Sequence, residues 1–211
     1  MSCKPGKKKF SNPWMQRHVQ DHYVQKSVKE GYRSRASFKI LQIHEKDKLF
    51  KHGQSVIDLG AAPGGWSQVI SKLVGPAGQV IAIDRLPMDP ILGVHIIEGD
   101  FLTEETLNAI IAISPTGKVD WIVSDLSPNL SGLSAIDQPR MMALAEATLE
   151  LADTLLKPKG GILLKVFQGS GFSEFHRTLQ QRFDKVQTRK PDASRDESRE
   201  IYLLGRGFRA M

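Results

Sequence analysis

The sequence predicts an α/β fold with a mostly parallel central sheet, helices on both of its faces and an antiparallel C-terminal strand. From residue 54 onward, short runs rich in Val and Ile alternate with longer amphipathic runs. Strands that alternate with helices indicate a parallel sheet covered on both sides. The chain has 211 residues, a length that fits one domain. We therefore expect a single domain over residues 14–211.

Five segments have the composition of buried strands, because each is rich in Val and Ile and is bounded by Gly, Pro or Asp. They cover residues 54–60, 78–84, 93–100, 118–125 and 160–167. Two further segments, 182–190 and 199–207, are separated by the polar loop PDASRDES. This arrangement favours a closing pair of antiparallel strands.

Three segments between the strands have the apolar spacing of helices. They cover residues 65–74, 103–113 and 138–156. Thr103 is a candidate N-cap, with Thr106 at the position where a capping box prefers Glu or Gln. Upstream, residues 33–50 also look helical, and Ser34 is their candidate N-cap.

Positive charge is concentrated at the two ends of the chain. Residues 1–52 hold 13 Lys or Arg against 4 Asp or Glu, residues 53–184 hold 9 against 15, and residues 185–211 hold 7 against 4. A polyanion-binding face built from both ends would have this distribution, and a solvated basic tail is the alternative. Residues 1–13 are basic and poor in large apolar residues, so we expect a flexible arm there.

The composition also excludes several classes of protein. No apolar run approaches the roughly 20 residues that span a bilayer, and the N-terminus lacks the apolar core of a secretory signal. We therefore expect a cytoplasmic protein with no membrane partner. Cys3 is the only cysteine, and the six histidines show no ligand spacing. We expect neither an internal disulfide nor a metal site.

A glycine-rich loop, DLGAAPGGWSQ (58–68), joins the first predicted strand directly to a helix. Glycines let a ligand approach the backbone closely, and a helix N-terminus follows. The dinucleotide fingerprint G-x-G-x-x-G is absent, because Ala61, Ala62 and Pro63 interrupt its spacing, which disfavours a nicotinamide enzyme. A cofactor with a nucleoside but no pyrophosphate fits this loop better.

Acidic residues stand at the ends of three predicted strands: Asp84, Asp100 and Asp125. In open parallel sheets the ligand crevice lies at the carboxyl ends of the strands, so we expect these residues to converge. Asp84 follows the second strand, where a carboxylate suits a ribose diol. Asp100 could accept from an adenine amino group, and Asp125 would lie nearest the chemistry. Each residue alone could equally be a loop residue or a helix cap.

Lys165 interrupts the apolar run GGILLKVF. An unpaired ammonium is costly to bury. One interpretation is that the side chain extends its charge to water at the strand end. The other is that partners elsewhere in the chain hold it inside a site.

Several motifs in order resemble the FtsJ/RrmJ family of S-adenosylmethionine-dependent ribosomal RNA 2′-O-methyltransferases. They are DLGAAPGGWSQ, PMDPI, SDLSPNLSG, KVFQG and KPDASRDESREIYLL, and the likeness runs from RSRASFK to EIYLL. The resemblance implies a Rossmann-like methyltransferase fold and S-adenosylmethionine as cofactor.

The resemblance also implies site residues. The family's Lys-Asp-Lys-Glu tetrad matches Lys39, Asp125, Lys165 and Glu200, which we call the tetrad. Lys165 would be the general base, or the group that steers the ribose hydroxyl onto the methyl group, while the two acids orient it. The cofactor residues implied are Gly64, Trp66, Asp84, Asp100 and Asp125. For Trp66, a packed aromatic side chain with only backbone contact is the alternative.

The acceptor implied is a ribose hydroxyl of a uridine in large-subunit ribosomal RNA, and the partner implied is that RNA or the large ribosomal subunit. Methyltransferases of base amino groups commonly carry an aromatic residue after the fourth strand, and the stretch from Asp125 to Asn129 has none. The alternatives are a transfer RNA substrate, or an RNA-binding ribosome assembly factor with minor activity. We expect a monomer. Candidate RNA contacts are Lys7, Lys8, Lys9, Arg33, Arg35, Arg189, Lys190, Arg195 and Arg199.

Overall fold

The structure, a computed structural model, describes residues 21–114, 116–195 and 197–210. The helices in these ranges are α1 (His22–Glu30), α2 (Ser37–Asp47), α3 (Gly65–Val74), α4 (Glu104–Ile113), α5 (Ser134–Leu155) and α6 (Phe172–Arg182). The strands are β1 (Ser55–Leu59), β2 (Gln79–Asp84), β3 (Val94–Glu98), β4 (Val119–Ser124), β5 (Leu156–Phe167), β6 (Phe183–Arg189) and β7 (Glu200–Phe208). The predicted arm, residues 1–13, lies outside the described residues.

The seven strands form one sheet in the order β3-β2-β1-β4-β5-β7-β6. Neighbours from β3 through β5 pair in parallel, whereas β7 is antiparallel to both β5 and β6. The predicted fold class is therefore confirmed, including the antiparallel strand near the C-terminus. The strand order reverses between β1 and β4, and ligands of open α/β sheets bind at such a switch point.

Helices cover both faces of the sheet. On one face, buried side chains of α4, α5 and α6 pack against the sheet, for example Ile110, Ala145 and Leu179. On the other face, α2 and α3 supply Ile40 and Ile70 to a second cluster. Both clusters are closely packed apolar interiors, so the sheet is a rigid base for the loops at its carboxyl edge.

Three details differ from the sequence predictions. Helix α2 begins at Ser37, and its cap position is Ala36 rather than Ser34. The Ser34 side chain instead lies against the start of α3, where its Oγ occupies the space that a Cβ on Gly65 would need. Helix α5 begins at Ser134, four residues before the predicted start, and α6 was not predicted. In contrast, the Thr103 cap is confirmed, because its Oγ1 accepts from Thr106 N at 3.3 Å.

In the described part of the chain, no helix combines the length and apolarity needed to cross a membrane. Within the same residues, no three His, Cys, Asp or Glu side chains are grouped closely enough to hold a metal ion.

Candidate active site

A cleft of about 670 Å³ lies at the carboxyl edge of the sheet, and we call it the strand-end cleft. Asp84, Asp100 and Asp125 all line it, together with Gly60 of the glycine-rich loop and Leu144 of α5. The structure therefore brings together the three carboxylates that follow different strands. The volume is within the range of roughly 300–1,000 Å³ that small-molecule sites occupy.

Asp84 holds the glycine-rich loop in place. Its Oδ2 accepts from Ala62 N at 2.9 Å and its Oδ1 accepts from Leu86 N at 2.9 Å. The carboxylate thus ties the end of β2 to the loop after β1. It lines the cleft, and each of its oxygens has a lone pair left to accept from a ligand.

Asp100 is held in a similar way just after the next strand, β3. Its Oδ1 accepts from Leu102 N at 3.1 Å, and its Oδ2 forms an ion pair with Arg85. Partial burial acts to raise the pKa of Asp100, but these hydrogen bonds and the Arg85 charge outweigh it and hold the pKa below its ordinary value. Asp100 is therefore a fixed acceptor at neutral pH.

Gly64 and Trp66 lie where the glycine-rich loop enters α3, outside the residues that line the cleft. Gly64 has a left-handed conformation, with φ 101°, and a Cβ there would lie 2.6 Å from Ile91 Cδ1. The Trp66 indole is buried and donates to Ala36 O at 2.8 Å. The side chain of Trp66 is thus a packed aromatic, which leaves only its backbone for a ligand.

Arg33 connects the glycine-rich loop to the segment between β2 and β3. Its guanidinium donates to the carbonyls of Pro63 at 3.2 Å, Asp89 at 2.8 Å and Pro90 at 2.7 Å. Its backbone amide donates to Gln68 Oε1 at 3.1 Å. Arg33 is therefore engaged within the protein, and it fixes the loop that precedes α3.

The tetrad assembles beside the cleft from four separate elements. Lys39 comes from α2, Asp125 follows β4, Lys165 lies in β5 and Glu200 begins β7. Lys165 Nζ lies 3.2 Å from Asp125 Oδ1 and donates to Asp125 O at 2.7 Å. Lys39 Nζ lies 2.7 Å from Glu200 Oε1 and 3.9 Å from Asp125 Oδ1. The four predicted residues are therefore linked in a chain of contacts, Lys165–Asp125–Lys39–Glu200.

Charge balance explains how both lysines can be buried. Lys39 and Lys165 are each less than a tenth exposed, but two carboxylates face them. Burial acts to raise the pKa of Asp125, and the charges of Lys165 and Lys39 together with a hydrogen bond from Tyr202 overcome it, so the pKa is lowered. Asp125 is therefore ionised, and Lys165 is held inside rather than extended to water.

Tyr202 is a site residue that the sequence analysis missed. Its hydroxyl donates to Asp125 Oδ1 at 2.7 Å, and it lies directly opposite Lys165 in the β5–β7 pairing. Residues opposite each other in an antiparallel pair place their side chains on the same face. Burial, followed by the charges of Asp125 and Glu200, raises the pKa of Tyr202 well above its ordinary value. It remains a neutral hydrogen-bond donor.

Asp58, at the start of the glycine-rich loop motif, was also not expected to matter. It is completely buried in β1, and Ser67 Oγ donates to its Oδ2 at 2.6 Å. Burial raises its pKa to about 7, with the Asp125 charge acting in the same direction and the Ser67 hydrogen bond opposing both. This carboxyl links β1 to α3 behind the site.

The arrangement around Lys165 is suited to holding a hydroxyl group. Two acceptors, both on Asp125, occupy two of the positions on Nζ. A charged lysine has three N–H donors, so one is left for an incoming group. The amine thus lies next to the cleft in a fixed orientation.

Several predicted RNA contacts are engaged in ion pairs within the protein. Arg189 donates to both carboxylate oxygens of Asp47 at 2.6 Å, and Arg35 pairs with Asp21 at 2.6 Å. These guanidiniums stabilise the junctions around α2. Arg199 is exposed and donates to Ser134 Oγ at 2.6 Å. The predicted contacts Lys7, Lys8 and Lys9 lie in the part of the chain that the structure does not describe.

Known proteins with similar sequences match almost the whole chain. The family model for FtsJ-like methyltransferases matches residues 32–208. A Pseudomonas fluorescens protein named ribosomal RNA large subunit methyltransferase E is 54% identical over 201 residues, which cover 95% of this chain and 96% of that protein. A Marinobacter nauticus protein of the same name is 51% identical, with 95% and 97% covered.

Solved structures match as well. A crystal structure described as a ribosomal RNA methyltransferase from Plasmodium falciparum has a TM-score of 0.78 at 27% identity, with 85% of this chain and all of that chain covered. A second, described as an rRNA methylase from Clostridium thermocellum, has a TM-score of 0.52 at 22% identity, with 79% and 96% covered, and shows likeness of fold. With the assembled tetrad and this coverage, the chain belongs to the FtsJ-like methyltransferase family.

Proposed function

We propose that this protein transfers a methyl group from S-adenosylmethionine to a ribose 2′-hydroxyl of large-subunit ribosomal RNA. The observation that carries the proposal is the contact between Lys165 and Asp125 at the edge of the strand-end cleft. A buried amine with one open position next to a cofactor-sized cleft fits an enzyme that positions a hydroxyl group.

The strand-end cleft has hydrogen-bond acceptors that fit S-adenosylmethionine. Asp84 is the acceptor for the ribose diol of the cofactor, and Asp100 is the acceptor for the adenine amino group. Leu86, Phe101 and Leu102 supply apolar surface for the adenine ring. Gly64 and Trp66 contribute through their backbone at the start of α3. When bound, the cofactor supplies an electrophilic methyl group.

Lys165 holds the acceptor hydroxyl in line with that methyl group. Methyl transfer would convert the sulfonium of the cofactor to a thioether and release the hydroxyl proton, which Lys165 would take up in its neutral form or direct to an oriented water in its charged form. Close, aligned approach alone removes a large part of the barrier to such a transfer. Asp125 fixes the amine, and Lys39, which pairs with Glu200, lies 3.9 Å from the same Asp125 oxygen, Oδ1.

Three arguments favour RNA as the acceptor. The relatives at 51–54% identity are named for ribosomal RNA of the large subunit. The chain carries a net charge of +6, which suits a polyanion. The segment after β4 holds no aromatic residue of the kind that stacks on a methylated base.

The two buried lysines and two acids argue against a pure binding factor, because binding alone does not require them. Because the proposed acceptor is ribosomal RNA, we propose that the protein acts in the cytoplasm. The proposed reaction requires only one copy of the chain, so we propose that the protein acts as a monomer.

The test is a map of 2′-O-methyl groups in ribosomal RNA from cells that lack the protein. We expect one uridine to lose its methyl group and to regain it with the wild-type protein but not with Lys165→Ala. Lys157→Ala is the matched control, because Lys157 is in the same strand but pairs with Asp120 away from the tetrad. Restoration by Lys165→Ala, or no missing methyl group, would contradict the proposal.

A further inference from the structure

Three large aliphatic side chains are exposed in the segment that leads from the tetrad into α5. Leu130 is 64% exposed, Leu133 is 60% exposed and Ile136 is 39% exposed. We call these three residues the aliphatic rim. Single exposed apolar residues are common on proteins, but a group within seven residues beside a candidate active site is unusual. The cofactor does not explain the group, because none of the three lines the strand-end cleft.

The aliphatic rim is held in place by a buried carboxylate. Asp137 is 4% exposed, and its Oδ1 accepts from Ser131 N and Ser131 Oγ, both at 2.8 Å. Its Oδ2 accepts from Gly132 N at 3.1 Å. The segment between Leu130 and Leu133 is therefore fixed to the first turn of α5. The outward position of the leucines is built into the fold and does not result from a loose loop.

A guanidinium lies on each side of the aliphatic rim. Arg199 donates to Ser134 Oγ at 2.6 Å, next to Leu133. Arg140 donates to Asn129 O at 3.4 Å, next to Leu130, and also lines the strand-end cleft. Arg199 directly precedes Glu200 of the tetrad, so the rim, the two cations and the site are continuous. An apolar surface between two fixed positive charges is complementary to a nucleotide, which has an apolar base face and a phosphate.

We propose that the aliphatic rim is the surface on which a nucleobase next to the methylated ribose packs. This inference rests on the proposed function. Lys165 is 7% exposed, so a ribose can reach it only if the nucleotide leaves its stack. An unstacked base needs another apolar surface, and Leu and Ile side chains serve that purpose in other nucleic-acid complexes. Arg140 and Arg199 are the contacts for the phosphates on either side.

The test is the double variant Leu130→Ser and Leu133→Ser. Leu133 occupies the N-cap position of α5 without a side-chain hydrogen bond, and serine is favoured there, so the variant should fold. We expect its affinity for protein-free large-subunit ribosomal RNA to fall about 10-fold and its RNA KM to rise correspondingly, as loss of one base contact would produce. Its affinity for S-adenosylmethionine, measured by calorimetry, should stay within about twofold. Val28→Ser, at a position 78% exposed on α1, is the matched control.

The salt dependence of RNA binding gives a second readout. The slope of the logarithm of the RNA-binding constant against the logarithm of salt concentration should be the same for the double variant and the wild type, because no phosphate contact is removed. Arg199→Ala should make this slope smaller. Unchanged RNA affinity in the double variant would overturn the inference. An equal loss of cofactor affinity would also overturn it, since the rim would then be structural. So would a loss of affinity seen only with assembled subunits, since the rim would then contact a ribosomal protein. If the wild type binds the RNA but methylates neither that RNA nor assembled large subunits, the proposed function fails, and weaker RNA binding by the variant still supports the rim as an RNA-contact surface.

Discussion

The Tyr202 hydroxyl donates a 2.7 Å hydrogen bond to Oδ1 of Asp125. The same oxygen lies 3.2 Å from the Lys165 amine. Tyr202 therefore limits the rotation of the carboxylate that holds the candidate catalytic lysine. Its ring also packs against Trp66, with centroids 5.7 Å apart, so the contact is fixed from behind by the glycine-rich loop.

Tyr202→Phe should lower the rate of methyl transfer about 10-fold, because a hydrogen bond to a charged group contributes about 1.5–3 kcal/mol. The packing against Trp66 stays, so cofactor affinity should change little. Single-turnover kinetics with calorimetry separates the two effects. Tyr32→Phe is the control, and a normal rate in Tyr202→Phe would show that Asp125 needs no such restraint.

The Lys39–Glu200 pair should show strong coupling in a double-mutant cycle. Both side chains are less than 15% exposed, so removing either one leaves a buried charge without its nearest partner. Each single variant, Lys39→Ala and Glu200→Ala, should lose free energy of unfolding relative to the wild type. We expect the sum of these two losses to exceed the loss in the double variant by about 1 kcal/mol or more. Urea denaturation measures all four proteins. Additive losses would mean that the two side chains do not stabilise each other.

Arg33→Ala should reduce the affinity for S-adenosylmethionine about 10-fold, because the guanidinium joins Pro63 of the glycine-rich loop to the carbonyls of Asp89 and Pro90. Arg33→Lys should restore only part of it, since an ammonium lacks the planar fork. Calorimetry with the cofactor is the measurement. Lys29→Ala, on an exposed position of α1, is the control, and equal affinities in all variants would contradict this role.

Asp58→Asn should become more stable relative to the wild type as pH rises from about 4 to 7. Burial raises the pKa of Asp58 to about 7, so between these limits the folded protein keeps a proton that the unfolded chain has lost. Wild-type stability therefore falls as pH rises through this window, and asparagine removes that loss. We expect the Tm difference to grow by several degrees.

Asp120→Asn is a control for which the pH dependence of stability should have the opposite sign. Burial acts to raise the pKa of Asp120, but hydrogen bonds from Ser55 and Lys157 outweigh it and lower the pKa. The carboxylate therefore stabilises the wild type above about pH 4, and this contribution disappears as pH falls further. A Tm difference for Asp58→Asn that is flat with pH would show that Asp58 is ionised in the fold.

The parallel sheet could be predicted because strands buried on both faces are continuous apolar runs. Helix α6 could not, since only Phe175 and Leu179 are buried in an otherwise polar segment. The early start of α5 depends on Asp137, which binds backbone amides five and six residues upstream. Such a contact cannot be predicted from the spacing of the apolar residues.

The tetrad could be named only through the family resemblance, because its members are separated by up to 161 residues in the chain. Tyr202 did have a signal: it stands two residues after Glu200 in a strand, so both side chains share a face. Which carboxylate it would meet depends on the register between β5 and β7, and that register is set by packing across the whole sheet. Asp58 had a signal for burial, because it lies in the predicted strand 54–60, but its contact with Ser67 depends on α3 folding over β1.

The position of β7 in the sheet also constrains the order in which the chain can fold during its synthesis. A ribosome synthesises β6 before β7, yet β7 lies between β5 and β6. While β7 is still inside the exit tunnel, β6 has no neighbour in the sheet, and Glu200 and Tyr202 have not reached Lys39 and Asp125. A nascent chain therefore cannot assemble the tetrad until β7 has emerged and inserted between its two neighbours.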